Sequence, residues 1–163
     1  LLEAALQQLG AGAPELEVLV LGVGDTGPQV RWGAVTLRWA GYCSDPAEMA
    51  RYYQAADVFV HPARADTFPT VVLEALACGT PVVATRVGGL EEQIDDGRTG
   101  YLTPPGAAEA LAARLGELLT GPERRSAMGA AAAEAARQRF DHRRMVSDYL
   151  AFYTAARAAW EQR

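Results

Sequence analysis

Lysine does not occur in the 163 residues; every strongly basic side chain is an arginine. Cysteine and histidine occur twice each, and acids outnumber bases to leave a net charge of −5. Each scarcity excludes something. Cys43 and Cys78 have no second thiol or histidine nearby at metal-ligand spacing, so neither a zinc knuckle nor a disulfide scaffold is available. They read as two reduced core thiols of a cytosolic protein. An acidic chain has no general attraction for nucleic acid or an anionic membrane, so any phosphate chemistry must come from local geometry. No apolar run approaches the roughly 18–20 residues that span a bilayer, and no signal-peptide pattern is visible.

What is present is ordinary for a globular domain: half the residues are hydrophobic and about a fifth charged. The length is enough to bury a real core. Leu2, Leu6 and Leu9 share one helical face, and Gly10 and Gly12 are expected to stop that helix. Because the chain enters this helix at once, without Met, it is expected to be a piece of something longer.

Short apolar runs ended by glycine or proline then alternate with helical patterns. Glu17–Gly22, Val35–Trp39, Asp57–His61, Pro81–Thr85 and Gly100–Thr103 read as strands. Asp45-Pro46-Ala47-Glu48 is a helix start, a cap followed by Pro at the first helical position and Glu three residues after the cap. That helix should run to about Ala56 with Met49, Tyr52 and Tyr53 inward. A short helix is expected at Leu90–Ile94. Three more should follow over about 107–120, 122–140 and 142–160. The Ala-rich segment Ala130–Ala136 reads as high helix propensity. The alternation predicts an α/β fold with a Rossmann-like parallel sheet, flanking helices and a helical C-terminal segment over about 107–163. One link is tight: only the dozen residues 23–34 join the first two strands, and a parallel crossover usually needs a helix.

The chemistry gathers where Asp57–His61 gives way to the loop Ala-Arg-Ala-Asp-Thr-Phe-Pro and a helix starting near Thr70. Ligands of open α/β sheets bind beyond the carboxyl ends of the strands, which is where this loop lies. The first N–H groups of the helix, at Thr70 and Val71, have no intrahelical partner and suit an anion. Arg64 could grip a phosphate with its guanidinium fork. Asp66 could accept hydrogen bonds from a polyol, and Glu74 either caps the helix or accepts two hydroxyls of a vicinal diol such as ribose. Gly88 and Gly89 follow the next strand and could admit a ligand close to the backbone while offering N–H donors. Taken singly, a glycine pair is more often a plain turn, and two such acids more often a loop acid and a helix-start acid.

As a connected series, DVFVHP…ADTFPTVVLEALACGTPVVATRVGGLEEQI…GRTGYLTPPG resembles the nucleotide-sugar half of retaining GT-B glycosyltransferases of the group 1 family. The match is continuous from about Asp57 to Pro105, and the segment from Gly41 to Asp57 resembles what precedes it there. The resemblance implies that residues 1–163 are one donor-binding domain, the C-terminal half of a GT-B fold. It implies that Glu74 binds the donor's ribose and that Asp66 contacts the transferred sugar beside the reacting carbon, where the family more often has Glu. Thr67, Phe68, Thr70 and Val71 would offer backbone donors to sugar and diphosphate, and Tyr42 and Cys43 would line the base pocket. The implied partner is a UDP-, GDP- or ADP-linked sugar, with no metal and no further cofactor.

The family opens this domain with a strand, a Gly-Arg turn and a Lys-Gly pair, and precedes it with an acceptor-binding domain. The first helix here resembles the element after that Lys. The first strand, the two cations and the acceptor domain are therefore expected to be missing, and the chain to be inactive alone. Any peripheral membrane association would come through the missing domain. Two alternatives stand beside transfer: a non-catalytic nucleotide or nucleotide-sugar binding module, and a GT-B-type sugar-nucleotide epimerase. His61, His142 and Asp95-Asp96-Gly97 read as structural or surface features. The final helix carries Met145, Tyr149, Phe152, Ala156 and Trp160 as one apolar stripe, expected to pack on this domain unless it reaches another.

Overall fold

A computed structural model describes residues 1–10, 15–22 and 27–161. The expected helix stop at Gly12 and residues 23–26 of the tight crossover lie outside the described residues. In chain order the elements are α1 (Leu2–Gly10), β1 (Leu16–Leu21), β2 (Val30–Trp32), β3 (Val35–Gly41), α2 (Pro46–Ala55), β4 (Phe59–His61) and α3 (Thr70–Ala77). They continue with β5 (Val82–Thr85), α4 (Leu90–Gln93), β6 (Gly100–Thr103), α5 (Ala108–Thr120), α6 (Pro122–Arg139) and α7 (His142–Glu161).

All five expected strands are present and, with a sixth, β2, form two three-stranded sheets, ordered β1-β3-β2 and β4-β5-β6. The family resemblance implies a 3-2-1-4-5-6 order, in which β3 and β1 would take the first two places, β4, β5 and β6 the last three, and the strand expected to be missing the third. Among the described residues the third place has no strand. The unforeseen β2 pairs antiparallel with β3 across a two-residue loop, where Gly33 supplies φ +58°. The described part of the link between β1 and its parallel partner β3 therefore contains a hairpin strand.

The second sheet is covered on both faces. Val82 and Ala84 of β5 face one way with Leu102, into a cluster with Val72, Ala75 and Leu76 of α3 and Ala132 and Ala136 of α6. Val83 and Tyr101 face the other way, onto Leu111, Leu115 and Leu118 of α5 and Ala5 of α1. This is the strand alternation of period two, with a helical layer for each set. The small residues of α6 have a packing purpose besides propensity. A Cβ on Gly129 would stand 2.2 Å from the Gly79 carbonyl, so α6 approaches the α3–β5 turn closely.

α1 also covers the first sheet, where Leu6 meets Val35 and Leu37 along with Leu16, Val18, Trp32 and Trp39. On the opposite face Thr36 is buried, while Glu17 and Arg38, both more than half exposed, pair at 3.0 Å. The α2 start is as expected, with the Asp45 carboxylate accepting from the Ala47 N–H at 3.0 Å. Only part of its inward set is buried: Tyr53 is, whereas Tyr52 is half-exposed and donates toward Glu48 at 3.5 Å. The expectation that α7 packs on the domain is not met. α7 has no buried residue: Met145, Tyr149 and Phe152 border a groove beside Phe68 and Leu73 yet stay more than half exposed, and Trp160 is 76% exposed. An amphipathic period states which face is apolar and not what covers it. Among the described residues, no helix is long and apolar enough to cross a membrane.

Candidate functional site

Beyond the carboxyl ends of β4 and β5 lies a cleft of about 490 Å³ lined by Arg64, Ala65, Asp66, Thr67, Val87 and Gly88. Its wall is the loop between β4 and α3, and four anchors hold that loop. The Thr85 hydroxyl, at the end of β5, donates to the Ala63 carbonyl. His61, the last residue of β4, meets Asp66 at 3.1 Å between Nε2 and Oδ2. The Gly89 N–H donates to the Thr67 carbonyl at 2.8 Å. The buried amide of Gln93, on α4, donates to the Pro69 carbonyl at 3.1 Å. A loop tied at 63, 66, 67 and 69 presents Asp66 in one place.

The glycine pair does something other than expected. A Cβ on Gly88 would sit 1.9 Å from the Asp66 carbonyl oxygen, and one on Gly89 2.4 Å from that of Thr67. Both glycines are therefore the seat of the Asp66 loop. The Gly89 N–H is already used by Thr67, which removes it as a ligand donor; Gly88 remains on the cleft wall.

α3 starts at Thr70 behind Pro69, and no side chain caps it. Its open N–H groups and the positive end of its dipole suit an anion. Glu74 stands one turn further, exposed to solvent, with its Oε2 accepting from the Tyr53 hydroxyl at 3.1 Å. Burial, and after it the charge of Glu74, push the Tyr53 phenol far above its usual range, so it remains a neutral donor. The same two causes push the Cys78 thiol upward, which keeps it protonated and poorly nucleophilic. Among the described residues, no carboxylate lies within ion-pair distance of Arg64, and no cluster of three or more metal-ligating side chains occurs.

The structure thus brings Arg64, Asp66, Thr67 and Gly88 to one cleft. The Phe68 ring turns away from that cleft, edge-on to Phe140 at 6.2 Å, and lines a separate apolar groove with Leu73, Met145, Tyr149 and Phe152; the backbone role expected of Phe68 does not depend on the ring. Tyr42 and Cys43 follow the end of β3 and are not among the cleft's lining residues. Tyr42 is 76% exposed, and the Cys43 thiol approaches the Asp45 carbonyl at 3.5 Å. Tyr53, Thr85 and Gln93 were missed as supports. The one available signal was a polar residue, Gln93, at a helix position otherwise facing core.

These features define a class: a Rossmann-like α/β domain of GT-B type, with a cleft that holds Arg64 and Asp66 at the carboxyl ends of its strands. The profile of "Glycosyl transferases group 1" matches residues 34–135, and the chain belongs to that family. It is 42% identical over 111 residues to a D-inositol 3-phosphate glycosyltransferase of Segniliparus rotundus, covering 68% of this chain and 24% of that protein. The chain spans about a quarter of the length of the curated relatives it matches. Among solved structures, it is similar to sucrose-phosphate synthase from Thermosynechococcus elongatus, with a TM-score of 0.78 and 31% identity. That match covers 96% of this chain and 42% of the synthase. Anabaena HepE in complex with UDP-glucose gives a TM-score of 0.67 at 26% identity, over 73% of this chain and 32% of HepE.

Proposed function

We propose that this chain is the donor-binding part of a glycosyltransferase, taking a nucleoside diphosphate sugar and presenting it for transfer to an acceptor hydroxyl with retention. The observation that carries the reading is the uncapped start of α3, set between two carboxylates that are each held by a partner side chain. In this reading the diphosphate lies against the N–H groups of Thr70 and Val71, with Arg64 beside it. Asp66 contacts the sugar next to the reacting carbon, and Glu74 accepts the ribose hydroxyls. Departure of the diphosphate would be assisted by fixed N–H dipoles that need no reorganisation as charge develops. The UDP-glucose bound by HepE supports the ligand class.

The acceptor and two further cations would be supplied by the remainder of a longer, cytoplasmic enzyme. A chain covering 24% of its relative is consistent with that division, and the isolated domain would bind donor without turning it over. The test is calorimetric titration of the chain with UDP-, GDP- and ADP-sugars, repeated with Glu74→Ala. One of the three should bind, and the substitution should weaken it roughly 10–100-fold, the worth of about 1.5–3 kcal/mol for hydrogen bonds to a charged group. Unchanged affinity would remove Glu74 from the ribose, and absence of binding to all three would sink the reading.

A further inference from the structure

Glu74 is exposed on α3, yet one of its oxygens is fixed from the side by a buried tyrosine. We propose that Tyr53 is a positioning residue that orients the Glu74 carboxylate toward a vicinal diol, and so makes the site select ribonucleotides over their dideoxy counterparts. The proposal rests on the donor-site reading above and deepens it.

Tyr53 is held from several sides. Its ring is 4% exposed and stands edge-on to Phe59 of β4 at 5.4 Å. Its own carbonyl accepts from the buried Thr80 hydroxyl at 2.6 Å. The hydroxyl therefore projects from a fixed ring in a fixed direction and reaches Glu74 Oε2 at 3.1 Å. The apolar cluster around this ring would accept phenylalanine equally well, so the packing does not require the oxygen.

The chemistry of the pair suits its proposed task. An ionised carboxylate has about four lone-pair sites, and the phenol takes one. Oε1 receives no hydrogen bond from a described residue, which leaves ample capacity for two ribose hydroxyls. A free glutamate on an exposed helix face would sample several rotamers, whereas one tethered at Oε2 keeps a single orientation. Preorganisation of this kind raises affinity by reducing what must be ordered on binding. The tyrosine lies on α2, 21 residues before the acid, so this is a contact between elements and not a local turn.

The experiment measures affinities of the chain for UDP, GDP and ADP and for the 2′,3′-dideoxy form of each, in the wild type, Tyr53→Phe, Glu74→Ala and the double variant. Tyr53→Phe should weaken the bound ribonucleotide about 3–10-fold, the loss of one charge-assisted hydrogen bond's worth of orientation. It should leave the dideoxy affinity unchanged, with thermal unfolding within a few degrees of wild type. In the double variant the tyrosine change should add nothing to the glutamate change, because it acts only through that carboxylate. Equal losses for ribo and dideoxy ligands, or additive losses in the double variant, would reduce Tyr53 to a packing residue. If Glu74→Ala erases ribose selectivity while Tyr53→Phe preserves it, the tyrosine proposal fails and the donor-site reading stands. If Glu74→Ala leaves selectivity intact, or no nucleotide binds, both fail.

Discussion

Strands β5 and β6 are buried at every position, whereas β1 alternates between half-buried and exposed residues and leaves Leu19 42% exposed. The β4-β5-β6 sheet has helices on both faces, while among the described residues β1-β3-β2 has α1 on one face and the half-exposed Glu17–Arg38 pair on the other. The closed sheet carries the Asp66 loop and packs α3 against its face; the open one ends in Tyr42, itself exposed. A loop can place a carboxylate accurately only if the strands beneath it cannot shift, and double cover is what prevents the shift. The comparison locates the site's accuracy in one half of the molecule.

The largest expected break in that contrast is a cavity. Leu76→Ala, at a side chain 1% exposed between α3 and the closed sheet, should cost about 2–5 kcal/mol. For a domain of this size that lowers the unfolding midpoint by roughly 5–15 °C. Leu19→Ala on the open face should cost under about 1 kcal/mol. Thermal and denaturant unfolding read both, and similar losses would show that the two sheets are equally dependent on their cover.

A smaller effect separates two glycines in the left-handed region, one in each half. Gly22, at the end of β1, has φ +91° and no atom of a described residue within 4 Å of a Cβ placed there. Gly22→Ala should therefore cost only the conformational strain, about 1–2 kcal/mol. Gly88, at φ +50°, would press its new Cβ into the Asp66 carbonyl. Gly88→Ala should destabilise further and weaken nucleotide-sugar binding by about tenfold or more, since the loop must move. Retained donor affinity in Gly88→Ala would mean that the loop position tolerates displacement.

The same contrast explains what could be read without coordinates. The strands of the closed sheet were legible because each is a short apolar run closed by proline or glycine, and a strand buried on both faces has no other appearance. The cleft was legible because its lining comes from two short stretches, 64–67 and 87–88, each just beyond the end of a strand. The hairpin strand Val30–Trp32 was not, since three residues with an exposed arginine at the centre carry almost no periodic signal. Nor were Tyr53 beneath Glu74, Thr85 on Ala63 or Gln93 on Pro69, because each joins residues 21 to 24 positions apart through a side chain. The turning of Phe68 toward Phe140 is of the same kind. Sequence pattern names the face of an element; it does not say which partner will occupy it.

The smallest expected effect concerns charge. Glu117 of α5 accepts from the Tyr101 hydroxyl and from Arg114 at 2.9 Å, and Arg124 of α6 pairs with it at 2.9 Å, lacing β6, α5 and α6 together. Chiefly through the Tyr101 hydrogen bond, opposed by partial burial and helped by the two arginines, its carboxyl lies below its usual value of 4.5. A carboxyl lowered in the folded chain contributes stability that is complete above the unfolded value and disappears as pH falls through the folded one. Glu117→Gln should therefore lower the unfolding midpoint at pH 7 by the equivalent of less than about 1 kcal/mol, the upper range for a partly exposed pair. Wild type and variant should then converge as pH drops below 4.5. On the open sheet, Glu17→Gln removes a two-member pair whose side chains are more than half exposed, and should change the pH 7 midpoint by less. A larger loss from Glu17→Gln than from Glu117→Gln would reverse the order of the two sheets, and place the tighter electrostatic lacing in the half that does not carry the site.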